Sequence, residues 1–246
     1  GLVQAFGAFQ SYYVQNTLRD YDTSTISWIG TVESFLLVFG GIVTGPIYDQ
    51  GYLRPLLFAG AFLMTLGMMM LSLADEYYQI MLAQGICVGI GSSMLYVPSL
   101  ALVMGAFTKQ RNIAIGLSAS GGSIGGIIYP IIFQQLLPKL GFGWATRVIA
   151  FVGLFTFVVA LSILARKKPV SKPPRSLFDF TALKEWPFLV FSFAIFMMFT
   201  AYWVPFFYMP LYGRLGAGAT ASFAFYLLSI ANAASFFGRI LPTVLT

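Results

Sequence analysis

The chain has 246 residues, 58% of them apolar and only 9% charged, with a formal net charge of +6 and a mean hydropathy of +0.82. A soluble domain carries about a quarter charged residues, so a water-soluble globule is excluded. The basic excess does not point to nucleic acid, because Lys and Arg gather in the connections between apolar runs and form no basic face on a soluble module. With no His, and a single Cys (Cys87) inside an apolar run, a disulfide framework, a metal centre and histidine-based catalysis are excluded, and no cofactor is expected.

Residues 77–108, 112–138, 187–213 and 215–238 contain no Asp, Glu, Lys or Arg. A hydrocarbon core about 30 Å thick is crossed by roughly 20 helical residues. In lipid only helices or closed barrels satisfy the backbone, and runs this continuous are helical. The predicted spans, in chain order, are 1–14, 26–48, 53–74, 78–104, 112–137, 144–165, 187–210 and 219–245. The first reads as a helix lacking its beginning, since Gly1 is preceded by neither Met nor the basic region of a signal peptide. The expected class is an all-α membrane bundle.

Orientation follows from Lys and Arg in the connections. The 2–3, 4–5 and 6–7 connections hold Arg54; Lys109 and Arg111; and Arg166, Lys167, Lys168, Lys172, Arg175 and Lys184, nine in all. The opposite side holds Arg19, Lys139, Arg147 and Arg214, four in all. Nine against four puts the first set in the cytoplasm.

Span 2 carries Glu33, the only acid well inside an apolar run. An ionised carboxylate at that depth is costly, so the group is neutral, paired or facing water. Gly40 and Thr44 share its helical stripe, which points away from lipid and makes Glu33 a candidate proton-coupling group. The alternative is an outer-end residue near the headgroups. The connection that follows contains Gly45, Asp49, Gly51 and Arg54. Gly45 and Gly51 suit close packing and a tight turn, while Asp49 at a helix C-terminus calls for a positive partner.

Gly85 and Gly89 in span 4 stand in G-x-x-x-G spacing, and Gly121, Gly122, Gly125 and Gly126 line span 5 ahead of Pro130. Inside charge-free spans this reads as helix packing and conformational freedom, not a phosphate loop. Residues 166–186 form a basic, proline-containing connection that separates segment 1–165 from segment 187–246. It is a topology-setting tether, with an anionic-lipid site as the alternative. In span 7, Tyr202, Trp203 and Tyr208 read as interface anchors, and Pro205 and Pro210 as a bend. In span 8, Asn232, Ser235 and Arg239 fall on one face, and Arg239 offers a cation with a planar donor fork suited to a carboxylate. Its alternative is to snorkel to the cytoplasmic surface.

Six helices with a G-x-x-x-D-x-G connection, a downstream Arg and then a long basic loop resemble the major facilitator superfamily, although Gln50 stands where the family has a basic residue. Phe107 to Gly116, Ala119 to Gly126 with Pro130, and the runs Ser27 to Gly30, Asp49 to Pro55 and Gly141 to Trp144 resemble its monocarboxylate-porter branch, in particular fungal members. The resemblance implies a twelve-helix fold, of which this chain holds a partial helix 1 through helix 8. Segment 1–165 is then the first six-helix bundle and 187–246 the first two helices of the second, which awaits its remaining helices. It also implies alternating access, with Asp49 and Arg54 latching the cytoplasmic side. Arg239 matches the branch's helix 8 arginine, Ser235 takes the place of its aspartate, and Gln4 falls near its helix 1 lysine.

The expected function is secondary transport of a small organic solute, a monocarboxylate or related metabolite, with protons as a candidate coupling ion. The expected setting is the lipid bilayer of the plasma membrane or, alternatively, the vacuole. A non-transporting sensor of the same fold or a heptahelical receptor are the other readings. An enzyme is not expected, because Glu33 and Arg239 lie on different helices without a nucleophile pair.

Overall fold

The computed structural model describes residues 1–107, 109–164 and 184–245. The expected tether of residues 166–186 lies, up to residue 183, outside them. The described residues form α1 (Leu2–Gln15), α2 (Thr23–Phe39), α3 (Gly41–Asp49), α4 (Leu53–Leu71), α5 (Tyr77–Ile80), a π-helical segment (Met81–Val88), α6 (Gly89–Ala106), α7 (Arg111–Leu164), α8 (Trp186–Leu215) and α9 (Ala221–Leu245). Spans 2 and 4 are thus each composite, and spans 5 and 6 are the two arms of α7. The arms part at Gly141, whose φ of 74° and ψ of 175° break the helical path. Thr23–Asp49, Leu53–Leu71, Tyr77–Ala106, Arg111–Leu164 and Trp186–Leu215 are each long and apolar enough to cross a membrane.

Neighbouring helices alternate in direction as the charge pattern requires. Gly60 on α4 approaches Gly91 on α6, and Gly67 approaches Ala83 and Val88, so these helices run antiparallel. Glu33 and Leu36 meet Gly89, and Gly41 meets Val97, so α2 and α3 run parallel to α6. The first arm of α7 lies antiparallel to α9, with Gly116 against Thr243 and Gly126 against Asn232. Ends 15, 23, 72, 77 and 214 therefore gather on one side of the bundle, and the 2–3 turn lies on the other.

Helix α1 is the axis. Residues 3–11 and Tyr13 are all buried, whereas the other helices each turn large apolar side chains outward, among them Trp28, Phe155 and Phe191. Exposed apolar flanks around a buried centre suit a solvent of hydrocarbon. Phe9 meets Phe133 at a ring separation of 4.6 Å, Tyr12 stacks on Phe142 at 4.8 Å, and Phe6 meets Phe207 at 4.8 Å. These contacts tie α1 to both arms of α7 and to α8.

Helix α8 is continuous through Pro205 and Pro210. Interruptions in the other spans fall at Gly40, where Ser93 fills the space a Cβ would take, at the π segment and at Gly141. Two expectations change. Gly45 has open space beside it and contributes no close packing, whereas Gly51 makes the expected tight turn at φ +93°. Gly121 also faces open space, so the packing face of span 5 excludes it. Because L residues resist positive φ, Gly141→Ala is expected to cost about 1 kcal/mol or more and to lower the thermal unfolding midpoint in detergent. Gly45→Ala should leave that midpoint unchanged.

Candidate functional site

Residues Asn232, Ser235 and Arg239 recur at three- and four-residue spacing on α9 and share the face turned to α7 and α1. Asn232 is fully buried, and its amide donates to the carbonyls of Leu228 at 2.9 Å and Gly126 at 3.3 Å. A side chain at Gly126 would occupy the space of that amide. Ten residues earlier on α7, nearly three turns away, Gly116 lets the helix approach the Arg239 carbonyl, which a Cβ would meet at 2.8 Å.

From that close approach the Arg239 side chain rises along α7 and does not turn back towards the helix end. Its Nη1 donates to the Ala119 carbonyl at 2.6 Å, its Nε to Ser235 Oγ at 3.3 Å and its Nη2 to Tyr202 Oη at 3.4 Å. Gln4 completes the group: with its amide oriented as its neighbours require, the nitrogen donates to the Gly122 carbonyl at 2.6 Å and the oxygen accepts from Arg239 Nη2 at 3.0 Å. Ala119 and Gly122 stand about 12 and 16 Å along α7 from Arg111 at 1.5 Å per residue, which is mid-depth for a span. Snorkelling to the cytoplasmic surface is therefore replaced by an inward-pointing guanidinium. All these partners are neutral, and several of its donors are satisfied while its charge is not compensated by them.

Tyr202 departs from the anchor role expected of it, since its hydroxyl serves Arg239. Tyr208 departs likewise: its hydroxyl lies 2.6 Å from Ser27 Oγ, which also accepts from Gln10 Nε2 at 3.0 Å. Trp203 is half-buried and packs beside Phe206 and Phe207 on its own helix. The signal for this network was the set of amides on an otherwise apolar helix, Gln4 and Gln10, which in hydrocarbon must find partners.

Glu33 is completely buried within the bundle. Neither of its oxygens has a hydrogen-bond partner among the described residues. Gly89 lies against its backbone, and Gly85 lies against the Ile29 carbonyl one turn earlier. Gly125 faces Gly1, and Pro130 is buried in α7. In the 2–3 connection Asp49 closes α3, Arg54 lies in the first turn of α4, and both engage neighbouring groups. The structure thus gathers Gln4, Asn232, Ser235, Arg239, Gly122 and Gly126 in one place. Glu33 belongs to a separate polar group, and the Asp49 turn lies at the bundle's end.

Removing the Gln4 amide leaves Gly122 and Arg239 each short of a partner. Gln4→Leu is expected to destabilise by about 1–3 kcal/mol, read as a lower unfolding midpoint in detergent.

The chain is 41% identical to the MFS-type transporter dbaD of Emericella nidulans, over all of this chain and 55% of that protein. It is 40% identical to the aspyridones efflux protein apdF of the same organism, over all of this chain and 50% of that protein. To the agnestins efflux protein AgnL12 of Paecilomyces divaricatus it is 36% identical, over 98% of this chain and 56% of that protein. The chain spans about half the length of these curated relatives. The sequence pattern of the Major Facilitator Superfamily matches residues 2–245, and the chain, an integral membrane protein, belongs to that family.

Proposed function

We propose that the complete protein is a secondary carrier that exports a small organic acid by alternating access, with Arg239 receiving the solute's carboxylate or an equivalent acidic oxygen. The observation that carries this reading is the guanidinium at mid-depth whose described partners are all neutral. A cation in that environment attracts an anion far more strongly than one at the surface. Tyr202, which accepts from Arg239, packs in turn against the rings of Trp203 and Phe206 on α8, and aromatic surface beside a cation suits a solute with an apolar body and one acidic group.

Export as the direction is supported by relatives that carry the words efflux protein in their names. A monocarboxylate is the simplest solute of this kind, and proton coupling in the plasma membrane belongs to the same proposal. Alternating access is supported by close contacts between helices that lack side chains where they meet, as at Gly116, Gly122 and Gly126.

The test uses the full-length carrier in proteoliposomes with radiolabelled benzoate, and benzamide as its neutral counterpart. Benzoate counterflow without benzamide counterflow is expected. A charge-assisted hydrogen bond contributes about 1.5–3 kcal/mol, roughly a tenfold to hundredfold change in affinity. Arg239→Ala should therefore lose at least tenfold in benzoate binding, and Arg239→Lys should not restore it, because the planar fork is gone. Gln4→Glu, which places a carboxylate of the protein against the guanidinium, should preserve folding and abolish benzoate binding. Normal counterflow by Arg239→Ala would remove the site from the mechanism.

A further inference from the structure

A second polar group lies across α1 from Arg239, and its centre is Glu33. The carboxyl is fully enclosed, and both oxygens lack a hydrogen-bond partner among the described residues. Beside it stands Gln84, whose Oε1 accepts a 2.6 Å hydrogen bond from the Tyr13 hydroxyl. With its oxygen taken, the end that Gln84 can offer Glu33 is its amide N–H, a donor suited to a carboxylate.

Gln84 owes its position to an unusual stretch of backbone. It lies within the π-helical segment Met81–Val88, eight residues long, directly before Gly89, which packs on Glu33 itself. π-Helical turns are rare and concentrate at functional sites. Return of the segment to α-helical winding removes about one residue of offset and turns Gln84 by roughly 100° relative to one flank. That rotation takes the amide away from both Glu33 and Tyr13.

The titratable groups that face Glu33 are few. Helix α1 brings Tyr13. The π segment and α6 carry no charged side chain at all. A carboxyl enclosed in this way, with no charged side chain on the π segment or α6 beside it, is costly to ionise unless a donor or a proton compensates it.

We propose that Glu33, Gln84 and Tyr13 form the carrier's proton-binding site, and that the π segment sets whether the Gln84 amide lies against the carboxyl. The proton is taken from water when the α2–α6 contact opens, is held on Glu33 in the enclosed state, and returns to water on the other side. Gln84 and Tyr13 are positioning residues. The assignment deepens the export reading and rests on it for the flux it couples, but the site is testable without any solute.

The full-length carrier in proteoliposomes is treated with dicyclohexylcarbodiimide at pH 6, a reagent for protonated carboxyls in apolar surroundings, and modified peptides are read by mass spectrometry. Modification of Glu33, absent in Glu33→Gln, is expected. In the same vesicles Glu33→Gln should keep benzoate counterflow within twofold of wild type and lose at least tenfold of the stimulation that a pH gradient gives to net benzoate flux. Gln84→Leu should retain that stimulation with its pH midpoint displaced by half a unit or more. An unmodified Glu33, or undiminished stimulation in Glu33→Gln, would overturn the assignment. Absence of benzoate counterflow in the wild type would strike the solute reading instead, and the carbodiimide result alone would then decide the Glu33 site.

Discussion

A guanidinium held at mid-depth in a bilayer must have its donors satisfied by the protein, and much of this bundle is arranged around that requirement. Arg239 draws on four helices: Ser235 from its own α9, Ala119 from α7, Tyr202 from α8 and Gln4 from α1. None of these contacts is available unless α1 sits at the centre, and α1 can sit there only because small residues let its neighbours come close. Gly7 admits the backbone of α8 at Phe206, Gly30 admits the ring of Phe6, and Gly122 leaves room for the Gln4 amide. In water such contacts would be driven by apolar burial. In lipid, packing and internal hydrogen bonds take over that role.

The same helix divides two kinds of polar chemistry. On one side of α1 lies a cation whose partners are neutral, and on another an acid with no partner in hydrogen-bond geometry. They are not paired with each other, which distinguishes the arrangement from a structural ion pair. A structural pair would satisfy both charges and leave nothing for a solute or a proton to do. A third chain of hydroxyls and an amide, Gln10 to Ser27 to Tyr208, joins α1 and α2 to α8 near the opposite end from the Asp49 turn. Arg214 and Gln15 also meet at that end. The segments expected to belong to different bundles are therefore tied by polar contacts from mid-depth outward to one face, while the first half of α8 presents Phe188, Phe191 and Phe193 away from the rest.

Charge-free runs and basic connections made the spans and their alternation legible, because hydrocarbon thickness and loop charge act on any sequence in the same way. The face shared by Asn232, Ser235 and Arg239 was legible from helical spacing, and Gln4 joined it through resemblance to a family pattern. What stayed hidden was azimuth. Tyr202 and Tyr208 lie in an aromatic-rich stretch whose composition suits an interface belt, and only the neighbours of α8 decide that their hydroxyls point inward. Gly121 and Gly122 are adjacent and compositionally identical, yet one faces open space and the other faces Gln4 and Arg239. The prolines of α8 drew attention to a helix that stays continuous, whereas the departures from α-helical winding sit at Met81–Val88, packed on α2, and at Gly141, whose positive φ glycine alone adopts readily.

In the proposed export path the face of α7 bearing Gly122, which meets Gln4 and Arg239, lies towards the solute, while Gly121 faces away from both. Cysteine accessibility tests it most directly. In the full-length carrier with Cys87→Ala, the variants Gly122→Cys and Gly121→Cys are exposed separately to a membrane-impermeant methanethiosulfonate reagent, with and without benzoate. Gly122→Cys is expected to react and to be protected by benzoate, whereas any reaction of its neighbour Gly121→Cys is expected to be indifferent to benzoate. Reaction at Gly121→Cys with none at Gly122→Cys would contradict that expectation.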